Sequence, residues 1–162
     1  MTEDLQNENG LRGVEAVRKF LQTMGMKAEE RELPSGKAFA VELEGPATQA
    51  VLQVNVHAER FVVNFIFEGY VPQERRIAVA EFITRANWGL IEGNFELNFD
   101  DGALRYKVGL DFSSCELTDV WIRNCMLNGM DSIELYAISL NEVIVGITDP
   151  ETANREAREG NA

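Results

Sequence analysis

Cysteine and histidine are both scarce in this chain of 162 residues, and their scarcity limits the chemistry available to it. Two cysteines, Cys115 and Cys125, are too few for a disulfide framework, and a zinc site would need ligands from elsewhere. They favour a reducing, cytoplasmic location. A Ser–His or Cys–His nucleophile pair would have to use His57, the single histidine, which follows a predicted strand. We expect His57 to be an exposed turn residue.

Basic residues and long apolar runs are also lacking. The chain has 15 Lys and Arg residues against 27 Asp and Glu residues, for a formal net charge of −12. Its longest basic cluster is the pair Arg75-Arg76, and an acidic protein repels phosphate backbones, so nucleic-acid binding is disfavoured. No stretch reaches the roughly 18 apolar residues of a membrane span, and Met1 to Gly10 lacks the pattern of a secretory signal. We expect a soluble protein with neither a nucleic-acid nor a membrane partner.

The remaining candidates for chemistry have simpler structural interpretations. Cys115 precedes the last predicted helix, where a helix N-terminus can activate a thiol, but nearby acids such as Glu116 would raise its pKa. Cys125 lies in an apolar stripe and is expected in the core. The pair Asp100-Asp101 precedes a glycine in a predicted hairpin turn, a better explanation than acid–base work or calcium binding. The scattered glycines form no phosphate-binding loop. We therefore predict no catalytic residues, no cofactor and no metal site.

Three helices are predicted from apolar residues at three–four spacing. The first runs from about Arg12 to Met24 and the second from Pro72 to Gly89. The third runs from about Leu117 to Val145, and Asn128-Gly129 is expected to kink or split it. The predicted buried face of the second helix comprises Ile77, Ala80, Phe82, Ile83 and Ala86. The predicted stripe of the third comprises Leu117, Val120, Trp121, Met126, Leu127, Met130, Ile133, Ala137, Leu140 and Ile144.

Strands are predicted from period-two alternation between these helices. The segments before the second helix are Ala28 to Leu33, Lys37 to Glu44, Gln49 to Val56 and Phe61 to Phe67. The first of these is expected at an edge of the sheet, and the last at its centre because it is apolar on both faces. A hairpin follows the second helix, turning at Asp101-Gly102. Its predicted inward side chains are Phe95, Leu97, Phe99, Leu104, Tyr106, Val108, Leu110 and Phe112.

The element order indicates an α+β fold. Strands joined by short turns predict a mostly antiparallel sheet of about five strands with helices on one face, in the order α-β-β-β-(β)-α-β-β-α. The length suits a single domain, which we place at residues 11–148. The polar, acidic segments Met1 to Gly10 and Asp149 to Ala162 are predicted to be disordered tails.

Four segments of the second half resemble the YbjN-type family. They are Pro72-Gln73-Glu74-Arg75-Arg76, Ala86-Asn87-Trp88-Gly89-Leu90, Gly93-Asn94-Phe95-Glu96-Leu97 and Asp100-Asp101-Gly102-Ala103-Leu104-Arg105-Tyr106. That family is described as suggested regulators of bacterial sensory transduction. The resemblance implies a fold like the type III secretion chaperones, a bacterial cytoplasm, a regulatory or chaperone-like role and a homodimer. It brings no established catalytic residues.

These observations predict a non-catalytic module that binds a client or regulated protein. Trp88 closes the second helix, where it either packs structurally or anchors a partner, because Trp is enriched among interface hot spots. Trp121, on the third helix, carries the same two interpretations. The rival hypotheses are an enzyme with an unrecognised carboxylate site and a small-molecule sensor. A pocket lined by buried acids would favour the enzyme, and an apolar pocket of small-molecule size would favour the sensor.

Overall fold

The computed structural model describes residues 8–160, which form four α-helices and six β-strands. The helices are α1 (Glu8–Thr23), α2 (Arg76–Gly89), α3 (Asp119–Val145) and α4 (Pro150–Glu159). The strands are β1 (Ala28–Leu33), β2 (Gly36–Glu42), β3 (Ala47–Asn55), β4 (Arg60–Phe67), β5 (Asn94–Leu97) and β6 (Leu104–Asp111). A short 3-10 turn, Gln73–Arg75, leads into α2. The expected α+β class is confirmed, with six strands rather than about five.

All neighbouring strands of the single sheet run antiparallel, in the order β1-β2-β3-β4-β6-β5. The first four strands follow one another as a meander because each connection is a short turn. The chain then makes α2 before β5 and β6 complete the sheet on the other side of β4. β1 is an edge strand and β4 is central, as their patterns predict. β1 is charged and almost fully exposed along its length.

The core lies between one face of the sheet and the helices. Leu52, Val63 and Val108 stand opposite one another on β3, β4 and β6, and all three are buried. Aromatic rings continue this layer, with Tyr106 in edge-on contact with Phe65 at 6.3 Å between ring centroids. Burial of this continuous apolar layer is the main stabilising contribution to the fold.

Gly129 sets how closely α3 approaches the sheet. A Cβ atom at this position would lie 2.2 Å from Cε2 of Phe65, so only glycine leaves room for the ring. The expected split at Asn128-Gly129 is wrong, because α3 is one continuous helix of 27 residues. A glycine costs a helix interior roughly 1 kcal/mol in propensity, but here it permits the packing of the helix against β4.

The buried faces of α2 and α3 differ in part from those predicted. On α2, Val79 is buried and Ile77 is exposed. On α3, Val120, Trp121 and Leu127 are exposed. The predicted stripe spans more than half of the helix circumference, and a single sheet covers only the side facing it. The buried residues of α3 are Ile122, Cys125, Met126, Gly129, Ile133, Tyr136, Ser139, Leu140 and Val143.

The hairpin of β5 and β6 also departs from its predicted pattern at one residue. Phe99 lies in the turn beyond the end of β5 and is exposed. Gly102 has a φ of +85°, which glycine adopts without strain, and its N–H donates to the carbonyl of Asn98 at 2.8 Å. Because the turn begins at Asn98, the alternation of the strand stops before Phe99 is reached.

Pro150–Glu159, most of the predicted disordered C-terminal tail, is instead helix α4, and residues 161–162 lie outside the described residues. Oδ1 of Asp149 caps the helix by accepting from the N–H groups of Glu151 at 3.1 Å and Thr152 at 3.0 Å, and Pro150 occupies the first turn. Ala153 and Ala157 are buried where α4 packs against α2 and α3. Small alanine side chains let helices pack closely although the segment looks too polar to dock.

The other predicted tail is only partly described. Residues 1–7 lie outside the described residues. Glu8, Asn9 and Gly10 belong to α1, which corrects that part of the expectation. A Cβ atom at Gly10 would lie 2.2 Å from the backbone oxygen of Val56, so this glycine allows the start of α1 to contact the end of β3 closely.

Candidate functional site

A large groove runs along the C-terminal half of α3. It encloses about 670 Å³ between that helix, the segment 45–48 before and at the start of β3, and the segment 67–71 at the end of β4. Its surface is mainly apolar. We call it the α3 groove, and its lining residues are Gly45, Pro46, Thr48, Phe67, Glu68, Gly69, Tyr70, Val71, Leu104, Ala137, Ile138, Leu140, Asn141, Glu142, Ile144 and Ile147.

Three large apolar side chains of this groove project into solvent. Tyr70 is 71% exposed, Ile138 is 76% exposed and Ile147 is 74% exposed. Isolated apolar side chains on a surface are ordinary, but a cluster around one concave surface is a feature of interaction sites. Ile138 lies on the side of α3 that faces away from the sheet, so its exposure does not arise from a defect in the core.

Hydrogen bonds hold both walls of the α3 groove. Arg75 donates from Nε and Nη2 to the carbonyl of Val143, at 3.0 and 2.5 Å, and so fixes the last turn of α3. Gly146 adopts a φ of +82° and ends the helix, which directs Ile147 away from the helix axis. On the opposite wall, the N–H of Val71 donates to the carbonyl of Gly102 at 2.8 Å. Hydrogen bonds within the chain therefore hold both walls of the groove.

Arg76 ties the same wall to the hairpin. Its Nε donates to the carbonyl of Val71 at 3.2 Å, and its Nη1 donates to the carbonyl of Phe99 at 2.7 Å. The two basic residues of the pair Arg75-Arg76 therefore bind backbone carbonyls on opposite sides of the groove. Their role in this structure is to hold the walls, which gives a structural reason for the longest basic cluster of the sequence.

A second apolar patch contains Trp88. This side chain is 91% exposed and that of Ile91 is 99% exposed, so the packed interpretation of Trp88 is wrong. The adjacent Asn87 makes the structural contacts instead, donating from Nδ2 to the carbonyl of Phe95 at 3.0 Å and accepting its N–H at 2.8 Å. The helix end is therefore fixed by Asn87 while Trp88 projects outward.

Trp121 lies in the first turn of α3 and is 51% exposed. It shares a helix face with Asn128, two turns or about 10 Å further along the axis. Asn128 donates to the carboxylate of Glu92, in the loop that follows Trp88. Both tryptophans therefore present apolar surface to solvent. Their proposed role in partner binding stays a prediction.

The residues considered for catalysis are dispersed. His57 is exposed in the turn between β3 and β4, where it was expected. Cys115 is exposed before α3, whereas Cys125 is buried in it, and both thiols are free. Burial raises the pKa of Cys125 to about 11, so this thiol stays protonated and acts as core. Asp101 accepts the N–H of Ala103 at 2.8 Å, as expected for a turn residue.

The carboxyl groups with large pKa shifts belong to surface ion pairs. Hydrogen bonds from Arg18 and Lys37 lower the pKa of Glu30 to about 2. Burial raises the pKa of Glu96, but contacts with Lys107, Asn94 and Arg105 outweigh it and bring the value to about 2. Both groups stay charged near neutral pH and are poor proton donors there. Among residues 8–160, no three His, Cys, Asp or Glu side chains are arranged to hold a metal ion.

Sequence reasoning missed the residues that make the α3 groove prominent. Tyr70 and Ile147 were assigned to no element, and Ile138 stands outside the predicted stripe. Ala137, Leu140 and Ile144 were predicted as core, and they line the groove. The sequence signal for the groove is that Ile138 and Ile144 lie on different sides of the helix, which indicates apolar surface beyond the face that the sheet covers.

Within the described part of the chain, no helix is both long and apolar enough to cross a membrane.

Comparison with known proteins identifies solved structures that have the same fold. No protein-family model matches the chain, and no curated protein sequence matches it. Among solved structures, YbjN from E. coli, described as a suggested transcription regulator, superposes with a TM-score of 0.58 at 12% identity. The match covers 80% of this chain and 91% of that one. The fold implied by the resemblance is therefore shown, while membership of the YbjN-type family stays a prediction.

Two further structures share the fold. The HopA1–SchA chaperone–effector complex matches with a TM-score of 0.54 and 11% identity, covering 77% of this chain and 92% of that chain. An uncharacterised protein from Methanothermobacter thermautotrophicus matches with a TM-score of 0.53 and 13% identity, covering 82% and 96%. At this identity the likeness concerns the arrangement of helices and strands and carries no residue roles.

Proposed function

We propose that this chain is a non-catalytic protein-binding module, regulatory or chaperone-like, and that the α3 groove receives a segment of its partner. The observation that carries the proposal is the exposure of Tyr70, Ile138 and Ile147 around a preformed apolar groove. The description of one structural neighbour as a chaperone–effector complex supports a protein partner. A cytoplasmic location and a bacterial origin form part of the same proposal.

The energetic basis is the removal of apolar surface from water. Fully covering a side chain such as Ile138 contributes about 1.5–3 kcal/mol to association, before the costs of ordering both partners. Hydrogen bonds from Arg75 and Arg76 hold the groove walls in place, so little of this free energy is lost in shaping the site. A preformed apolar groove of this kind suits an amphipathic segment that inserts a few anchor residues.

Paired variants test this function. The tagged protein, Ile138→Asp and Ile91→Asp are each used to capture proteins from extracts of the source organism. Both replaced side chains are exposed, so both variants should fold. We expect a partner in stoichiometric yield that the wild type and Ile91→Asp retain and Ile138→Asp loses. Hydrogen exchange on the purified complex should then show protection of residues 67–71 and 134–147.

The opposite pattern would assign binding to the second patch. The partner would then bind the second patch if it is retained by Ile138→Asp but lost from Ile91→Asp, Trp88→Ala and Trp121→Ala. Equal retention by every variant would remove both surfaces from consideration. Failure of the wild type to retain any protein in stoichiometric yield would count against a protein-binding function.

A small-molecule sensor is the second candidate. The volume of the α3 groove, about 670 Å³, falls in the range of about 300–1,000 Å³ that ligand sites occupy. Native mass spectrometry of protein purified from its source would then show an added mass that Ile138→Asp loses. The enzyme hypothesis gains no comparable support, because the most perturbed carboxyl groups, Glu30 and Glu96, lie in surface ion pairs.

A further inference from the structure

The charged side chains that line the α3 groove all have the same sign. Its lining includes the carboxylates of Glu68 and Glu142, and among the described residues no basic side chain lines it. The three segments that bound it, residues 43–48, 66–74 and 134–149, contain six acidic residues and no Lys, Arg or His. These acidic residues are Glu44, Glu68, Glu74, Glu134, Glu142 and Asp149.

The basic side chains near the groove do not neutralise these carboxylates. Arg75 directs its guanidinium to the carbonyl of Val143, and Arg76 directs its own to the carbonyls of Val71 and Phe99. Neither arginine side chain lines the groove. Arg105 follows Leu104 on β6 but pairs with Glu96 on the opposite face of the sheet. The apolar floor is thus flanked by the carboxylates of Glu68 and Glu142.

We propose that the α3 groove selects a basic amphipathic segment of a partner protein, with large apolar anchors on one side and Lys or Arg beside them. This inference rests on the proposed protein-binding function and adds the chemistry of the partner. The apolar anchors contact Tyr70, Ile138 and Ile147, and the cations face Glu68 and Glu142. An acidic or phosphorylated segment is repelled by the same carboxylates, so the groove discriminates between partners by charge as well as by shape.

The test selects ligands from a library of random short peptides displayed on phage, using the full-length protein as bait. Peptides enriched by the wild type are sequenced, synthesised and measured by fluorescence anisotropy. We expect them to combine Leu, Ile, Phe or Trp with a net positive charge. We also expect Ile138→Asp to abolish their binding.

Charge reversal provides the decisive comparison. The double variant Glu68→Lys/Glu142→Lys should bind the selected peptides about tenfold or more weakly, and salt should weaken the wild-type complex. The matched control, Glu156→Lys/Glu159→Lys, changes the net charge of the chain by the same amount on the exposed surface of α4. This control should bind within about twofold of the wild type, because neither Glu156 nor Glu159 lines the groove and salt screens exposed charges.

Three outcomes would overturn the inference. Peptides that require Ile138 but are neutral or acidic would refute the charge selection while leaving the proposed protein-binding function intact. The absence of any peptide that requires Ile138 would count against both. A dimeric wild type that becomes monomeric in Ile138→Asp would show that a second copy of the chain occupies the groove instead.

Discussion

At the scale of single residues, Gly129 determines the distance between α3 and the sheet. The space that a side chain would need is already filled by the ring of Phe65, which is fully buried. Substitution therefore forces either the helix or the ring to move. This constraint comes from the sheet packed beneath the helix. The local sequence does not reveal it, because a glycine within a helix ordinarily predicts a break.

We predict that Gly129→Ala destabilises the protein although alanine is the better helix former. Overpacking of a core typically costs about 1–3 kcal/mol, and this should exceed the gain of roughly 1 kcal/mol in helix propensity. Urea unfolding followed by circular dichroism measures the difference. Asn124→Ala, an exposed substitution on the same helix, should leave the free energy of unfolding nearly unchanged.

A second substitution separates crowding from other causes. If the methyl group collides with Phe65, the loss caused by Gly129→Ala should be smaller in a Phe65→Leu background. Equal losses in both backgrounds would contradict the steric explanation. A more stable Gly129→Ala protein would show that the helix can shift without cost.

At the scale of elements, α4 shows how a polar segment becomes part of the domain. Its composition resembles a tail, yet Ala153 and Ala157 contact α2 and α3. Contacts with the other helices and the Asp149 cap stabilise a helix that the polar local sequence does not predict. Short helices are marginal in isolation, so α4 depends on both.

We predict that Asp149→Ala lowers the thermal midpoint of the protein and increases hydrogen exchange at the backbone amides of α4. The reason is that the N–H groups of Glu151 and Thr152 lose their acceptor. Asp149→Ser retains a capping oxygen and should behave almost as the wild type. Equal exchange in all three proteins would mean that packing alone holds the helix.

The sequence predicts most of the strands because their alternation reflects one-sided burial directly. β3 alternates between buried and partly exposed residues from Ala50 to Asn55, and it pairs between β2 and β4. The site was harder to predict, because an apolar residue in a helix looks the same whether it faces the sheet or a partner. Ile138 and Ile133 differ only in which side of α3 the sheet covers. Trp88 and Trp121 are candidates by residue type alone, while Tyr70 lies in a connection without a periodic pattern.

At the scale of the whole molecule, we expect a homodimer in solution. The resemblance to the YbjN-type family motivates this expectation, and Trp88 and Ile91 provide exposed apolar surface outside the α3 groove that a second copy would cover. Light scattering at tens of micromolar should give twice the chain mass of 18.2 kDa. Ile91→Asp should shift the mass toward that of a single chain. A monomeric wild type at this concentration would contradict the prediction.

The charged edge strand β1 has a consequence for how the molecule behaves in crowded solution. Its outer side leaves backbone groups unpaired, and such an edge is where sheets of separate molecules join into fibres. Glu29, Glu30, Arg31 and Glu32 occupy the middle of this strand. A second β1 pairing there would bring the carboxylates of both chains together. We therefore expect the strand that ends the sheet to disfavour edge-to-edge association at high concentration.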